Sequence, residues 1–283
     1  MLKINKIFKS MPTLEGAGVK LKRALGFNEV PLFDPFLLLD DFRSDNPDDY
    51  IRGFPWHPHR GIETITYVLQ GDVEHGDSLG NNGVIGPGDV QWMTAGSGII
   101  HQEMPKGNAE GKMHGFQLWA NLPAKNKMMD PRYREINSKE IPELKLPGGA
   151  LVKIICGELS GVKGPAQDIV IEPEYLDVSL PPNSEFRHTV KPGHTVFAYI
   201  INGSGFFSEE KNQKIENTSL VLFDDGDEIT AFSEKTGMRF LLISGKPLGE
   251  PVAWRGPIVM NTQEELKTAF DEYAKSKFIK IRK

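Results

Sequence analysis

Phe54-Pro55-Trp56-His57-Pro58-His59-Arg60-Gly61 sets two imidazoles two positions apart. Side chains at i and i+2 of an extended strand share a face, so both rings can reach one ion. Further along, Gly96-Ser97-Gly98-Ile99-Ile100-His101-Gln102-Glu103 repeats the device with one imidazole and one carboxylate. Carried on neighbouring strands of a barrel, the two pairs bring His57, His59, His101 and Glu103 to a common point inside it. Such an N/O donor set suits divalent iron, nickel, copper, manganese, zinc or cobalt, and ligand type alone does not choose among them. Four protein donors leave two positions open on an ion that prefers six, which points to chemistry rather than to a closed structural site. Glu63, four residues after His59, competes with Glu103 for the carboxylate role. Glu103 is favoured because it shares the strand phase of His101.

Outward from these pairs, the chain reads as many short strands. Glycine (29 residues) and proline (20) punctuate brief apolar runs, as turns between strands do. The runs Thr64–Leu69, Val84–Ile85, Val90–Met93, Leu151–Ile155, Leu176–Leu180, Val196–Ile201, Leu220–Phe223 and Phe240–Ile243 are rich in β-branched and aromatic residues, which favour strands. One helix is expected near the C-terminus, where Thr262 and Glu265 form a capping box ahead of Leu266, Ala269, Phe270, Tyr273 and Ala274. A weak repeat relates Tyr67-Val68-Leu69-Gln70-Gly71 to Tyr199-Ile200-Ile201-Asn202-Gly203, and Pro87-Gly88-Asp89-Val90 is echoed by Asp225-Gly226-Asp227-Glu228. The halves therefore read as two copies of one barrel, residues 1–135 and 136–283, with the polar stretch Asn126–Pro147 as connector and the helix attached to the second half.

The second half lacks the ligand set. Counting back from Gly203, the positions equivalent to His57 and His59 hold Thr189 and Lys191, and His188 and His194 fall out of phase. That half is expected to bind no metal and to brace the first. His75 is expected to meet solvent or a structural hydrogen bond, and His114 to be a satisfied core histidine.

A chain of 283 residues with 39% hydrophobic and 25% charged residues is expected to fold without cross-links. Its formal net charge of -5 offers no basic field for phosphate backbones, which disfavours direct nucleic-acid binding. Cys156 is the single cysteine, so no intrachain disulfide can form, and it reads as a small buried apolar residue. No apolar run reaches signal-peptide or membrane-span length. The expectation is a cytoplasmic monomer, also nuclear if the host has a nucleus.

Taken together, Asp34-Pro35-Phe36, the run 54–61, Gly88-Asp89-Val90-Gln91-Trp92-Met93-Thr94-Ala95-Gly96 and His101-Gln102-Glu103-Met104-Pro105 resemble the pirin family of the cupin superfamily. The likeness continues through His114-Gly115-Phe116-Gln117-Leu118-Trp119 and, near the end, Glu250-Pro251, Gly256-Pro257 and Val259-Met260-Asn261-Thr262. The resemblance implies an all-β bicupin, two cupin-type barrels in tandem with a short C-terminal helix. It implies one metal, usually Fe(2+), on residues matching His57, His59, His101 and Glu103. It also implies quercetin 2,3-dioxygenase activity on a flavonol-like substrate with O2 and release of CO. For that chemistry Glu103 is the candidate catalytic base, taking the enol proton when it loosens from the ion. The alternative it carries is a non-catalytic, iron-dependent regulator that binds a transcription factor or metabolic enzyme.

Overall fold

The structure, a computed structural model, describes residues 1–280. Its regular elements are almost all antiparallel strands, with one α-helix, Gln263–Ala274, among the described residues. The chain divides into two compact units. One comprises Met11–Leu32, Phe36–Ser138 and the stretch from Leu248 on; the other comprises Met1–Ser10, Phe33–Pro35 and Lys139–Pro247. This division differs at both ends from a single cut near residue 135. Strand Ile4–Lys9 pairs with Ser219–Phe223 of the later unit, and Ile4 and Ile7 pack on that unit's core. Strand pairing works through backbone groups, so no side-chain pattern near residue 4 announces the partner.

In the first unit a seven-stranded sheet runs in the order Arg132–Ile136, Val90–Thr94, Ile62–Gln70, His114–Asn121, Phe36–Asp41, Val19–Leu25, Met11–Glu15. A four-stranded sheet runs Phe54–His59, Ile99–Lys106, Asp72–Asp77, Asn82–Ile85. Val19, Leu21 and Val68 of the larger sheet share one buried cluster with Val73 and Ile85 of the smaller, so the two sheets pack face to face. Each such side chain contributes ~1.5–3 kcal/mol on burial. The strand Arg132–Ile136 lies inside the stretch expected to be a connector. It pairs with Val90–Thr94 at the sheet edge, and its charged residues are what an edge strand carries, which is why it reads as loop in sequence.

In the second unit a nine-stranded sheet is organised on the 18-residue strand Glu228–Gly245. The first part of that strand pairs with Glu185–Thr189 and the last part with Glu174–Leu180. Gly237, at φ 74°, separates the two parts. Leu176, Val178 and Leu180 alternate toward a core shared with Val152, Ile154, Ala198, Ile200, Val221, Phe240 and Leu242, while Tyr175 and Asp177 between them are buried on the other face. The internal repeat holds locally: Gly71 and Gly203 are both left-handed, at φ 75° and 71°. Gly71 turns the chain into strand Asp72–Asp77, whereas Gly203 sits at a register shift inside strand Thr195–Phe206.

The helix begins as its sequence dictates. Thr262 Oγ1 accepts from the Glu265 backbone N–H at 3.1 Å, and Glu265 Oε2 accepts from the Thr262 N–H at 3.0 Å. Leu266 and Ala269 are buried with Ala253, Ile258, Met260 and Phe278. The helix belongs to the first unit and not to the second, although it lies in the second half of the chain. Arg60 explains the attachment: buried at 2% exposure, it donates to Glu272 Oε2 at 2.7 Å and to the Phe278 carbonyl at 2.8 Å. Its guanidinium carbon lies 4.2 Å from the centre of the Phe278 ring.

Candidate metal centre

Antiparallel pairing of Phe54–His59 with Ile99–Lys106 sets His101 directly opposite His57 and Ile99 opposite His59. Alternation along each strand then turns His57, His59 and His101 to one side. One ring nitrogen from each lies within 4.8 Å of the others, the single such group among the described residues suited to hold a metal ion. His59 and His101 are buried at 2% and 1% exposure, and His57 is partly buried.

The hydrogen-bond network fixes the tautomers of two rings. His57 Nδ1 lies 2.9 Å from the Pro55 carbonyl and His59 Nδ1 lies 3.0 Å from the Pro257 carbonyl. A carbonyl only accepts, so each Nδ1 carries the proton and each Nε2 presents a lone pair. Burial holds His57 below the usual imidazole range and His59 and His101 well below it, with the neighbouring imidazoles adding to the effect at the latter two. The rings are therefore neutral. Two Nε2 lone pairs of His57 and His59 face each other at 3.0 Å, an arrangement that repels unless a cation is shared. That spacing matches two nitrogens held at ~2.1 Å on adjacent corners of an octahedron. Both ring nitrogens of His101 are buried without a hydrogen-bond partner, a costly state that a bound ion relieves. The donors present fit a divalent transition metal.

Glu103 stands on the same strand at 6% exposure, but the register shifts between His101 and Glu103. Its carboxylate lies outside the three-histidine group. Glu103 Oε1 instead accepts from Thr66 Oγ1 at 2.9 Å. Burial pushes Glu103 up to about 7, opposed by that hydrogen bond. Glu63, the competing carboxylate, accepts from Trp92 Nε1 at 3.0 Å and Thr94 Oγ1 at 2.6 Å. It lies three positions before Thr66 and so points to the opposite face of the sheet. Its role is structural.

His57, His59 and Glu103 line a cavity of about 740 Å³ within the first unit. Trp119, Trp254, Leu38 and Phe42 supply apolar wall; Arg23, Asp40, Gln117 and Thr66 supply polar wall. His59 meets Trp119 edge to face at 5.1 Å between ring centres, and Trp119 lies 5.8 Å from Trp254. Sequence reasoning did not find these lining residues or the Pro257 carbonyl. Arg23 stands beside Lys22 and Asp40 beside Asp41, so residue type alone gave no signal for the polar wall. His75 is buried, stacked 6.2 Å from Tyr133, with Nε2 3.2 Å from Glu135. His114 packs on Phe116 with Nε2 3.7 Å from Asp41. In the second unit His188 Nε2 pairs with Glu174 at 2.8 Å.

Two antiparallel barrels, the first holding a cluster of strand-borne histidines beside an interior cavity, define a bicupin with a candidate metal centre. Comparison with known proteins gives the family. The pirin model matches residues 18–120 and the pirin C-terminal cupin domain matches residues 175–279. A pirin-like protein of Caulobacter vibrioides is 44% identical over 274 residues, covering 96% of this chain and 98% of the relative. Human pirin is 40% identical over 266 residues, covering 93% and 89%. The crystal structure of a quercetin 2,3-dioxygenase from Acinetobacter baumannii superposes with a TM-score of 0.89 at 30% identity, covering 98% of each chain. The chain belongs to the pirin family. No helix among the described residues is long and apolar enough to cross a membrane.

Proposed function

We propose that the chain is a metal-dependent dioxygenase that opens the central ring of a flavonol with O2 and releases carbon monoxide, the quercetin 2,3-dioxygenase reaction. One observation carries the reading: neutral imidazoles whose Nε2 lone pairs face each other stand in the wall of a cavity of about 740 Å³. A cavity of that size suits a small flat ligand. The likeness to a quercetin 2,3-dioxygenase of known structure supports it. His57, His59 and His101 would hold the ion, and Glu103 would complete the set by turning from Thr66. Fe(2+) is the proposed ion; nickel, copper, manganese, zinc and cobalt suit the same donors. The ion, when bound, supplies the route by which dioxygen reacts with a closed-shell organic molecule.

The protein's own residues prepare the substrate. Trp119 and Trp254 offer ring faces and edges to a flat aromatic ligand. Leu21, Leu38, Phe42 and Val73 keep the wall apolar, which strengthens polar contacts made inside it. Glu103, pushed up to about 7 while it is off the ion and bonded to Thr66, would in that position take the enol proton of a flavonol near neutral pH. Loading the protein with Fe(II) under argon and admitting air with quercetin present tests the reading. Loss of flavonol absorbance with stoichiometric carbon monoxide is expected. Full metal loading with no flavonol consumed contradicts it and favours a non-catalytic regulator.

A further inference from the structure

The polar wall of the cavity is a single row across the larger sheet. Strand register sets Arg23 opposite Asp40, Asp40 opposite Gln117 and Gln117 opposite Thr66. Directly opposed residues of neighbouring strands point to the same face, and all four line the cavity. At one end Thr66 Oγ1 meets Glu103 Oε1 at 2.9 Å and Gln117 Oε1 at 2.8 Å. At the other end Arg23 clamps Asp40 through two parallel bonds, Nε to Oδ1 at 2.9 Å and Nη2 to Oδ2 at 2.7 Å, while its Nη1 lies 2.9 Å from Glu15 Oε1. From Thr66 to Asp40 the row crosses two strand spacings, ~10 Å, a span within the length of a three-ring aromatic with its hydroxyls.

Such a pair has a price in a wall of this kind. Asp40 is 5% exposed, and it shares the cavity wall with Leu21, Leu38, Phe42 and Phe27. Burial pushes Asp40 up to about 6, against the pull of Arg23, so it is ionised at neutral pH. The planar fork of Arg23 fixes the carboxylate's orientation. Two carboxylates around one guanidinium leave this end of the cavity net negative, which disfavours an anionic ligand group and favours a neutral hydroxyl. A hydroxyl donates to a carboxylate oxygen and accepts from a guanidinium N–H, so the cluster can use both of its capacities.

We propose that Arg23 and Asp40 form a distal subsite that reads neutral hydroxyl groups on the outer ring of the aromatic substrate, at the end of the cavity opposite the histidines. This inference rests on the flavonol reading and adds to it what selects one flavonol over another. Because the ligand's outer ring must leave water to enter, its hydroxyls need partners there, and a ligand lacking them leaves the Arg23–Asp40 cluster without the same exchange. Gln117, between the two ends, lies beneath the ligand's middle.

The test is binding, read through quenching of the cavity tryptophans in the full metal-loaded chain under argon, where no turnover occurs. The probes are quercetin, which carries outer-ring hydroxyls, and 3-hydroxyflavone, which does not. Wild type is expected to favour quercetin. In Asp40→Asn and in Arg23→Lys, quercetin affinity is expected to fall about tenfold, the scale of one hydrogen bond to a charged group, with 3-hydroxyflavone affinity held within twofold. Retained 3-hydroxyflavone binding also reports an intact cavity, and Arg23→Lys keeps the charge should Asp40→Asn fail to fold. Equal affinities of wild type for both flavonols, or parallel changes in the variants, overturn the subsite. Failure of wild type to bind either flavonol overturns the subsite and the flavonol reading together.

Discussion

His57 and His59 owe their readiness for a metal to carbonyl oxygens rather than to other side chains. Pro55 and Pro257 hold the Nδ1 protons, so the free lone pairs point at each other and at His101. Substituting His101 by alanine removes one of three donors, and metal content measured by plasma mass spectrometry is expected to fall at least tenfold; stoichiometric metal in the variant contradicts the assignment. Glu103→Gln is expected to keep most metal while lowering turnover ~10²–10⁴-fold, the usual weight of a general base, whereas unchanged kcat removes that role. The same variant separates base from ligand by pH. Glu103 in the metal-free protein is pushed up to about 7, while burial holds the histidines below the usual imidazole range. An ion that uses the Glu103 carboxylate must displace a proton below pH 7, so wild-type affinity is expected to fall by up to tenfold per pH unit there. In Glu103→Gln the fall is expected to begin at lower pH, where the histidines protonate. Coincident wild-type and variant curves in a nickel(II) titration mean that the carboxylate does not coordinate. That His57, His59 and His101 come together was legible because strand alternation is written in sequence; the register shift between His101 and Glu103, which leaves the carboxylate outside the group, was not. Which carbonyl orients which ring was not, since a backbone acceptor leaves no mark on residue type.

At the scale of elements, the C-terminal segment completes the site it follows by some two hundred positions. Pro257 orients His59, and Arg60, next to His59, ties the strand to Glu272 and Phe278. Lys127 reinforces the junction, donating to the carbonyls of Gly61 and Val259 at 2.9 and 3.1 Å and to Asn121 Oδ1 at 2.6 Å. Three acceptors around one Nζ suit an ammonium with its three N–H groups. Gly61, at φ 79°, passes so close to this segment that an added Cβ would lie 1.9 Å from the Val259 carbonyl. Arg60→Ala removes the bonds to Glu272 and the Phe278 carbonyl, while Glu272 keeps Lys280 at 2.6 Å, and is expected to cost about 2 kcal/mol in chemical denaturation. It is also expected to weaken metal binding at least tenfold through the loosened Pro257; normal stability and metal affinity in this variant contradict the coupling. Helix and cap were readable from Thr262 and Glu265, yet the helix's partner was not, because Leu266 and Ala269 specify an apolar neighbour without naming it. The same limit hid the Arg23, Asp40, Gln117 and Thr66 row. Arg23 adjoins Lys22 and Asp40 adjoins Asp41, so residue type does not single them out, and cross-strand register alone aligns the row.

The molecule as a whole pairs a barrel equipped for chemistry with one filled by apolar side chains such as Leu176, Phe186, Ala198 and Phe240. Metal at a hundredfold excess over Kd should add ~2.7 kcal/mol to whatever unfolds with the site. In hydrogen exchange, the protection gained on loading is expected within residues 11–32, 36–138 and beyond 248. Equal gains throughout residues 139–247 contradict a single site in the first unit. The tandem-barrel plan was legible from turn glycines and short apolar runs, while the exchange of terminal segments between units was not. The most direct measurement is anomalous diffraction from crystals of metal-loaded protein at the absorption edge of the bound ion. A single strong peak is expected within ~2.3 Å of Nε2 of both His57 and His59 and of one ring nitrogen of His101. Loaded crystals with no peak there, or with their peak at other residues, contradict the claim that these three rings hold the metal.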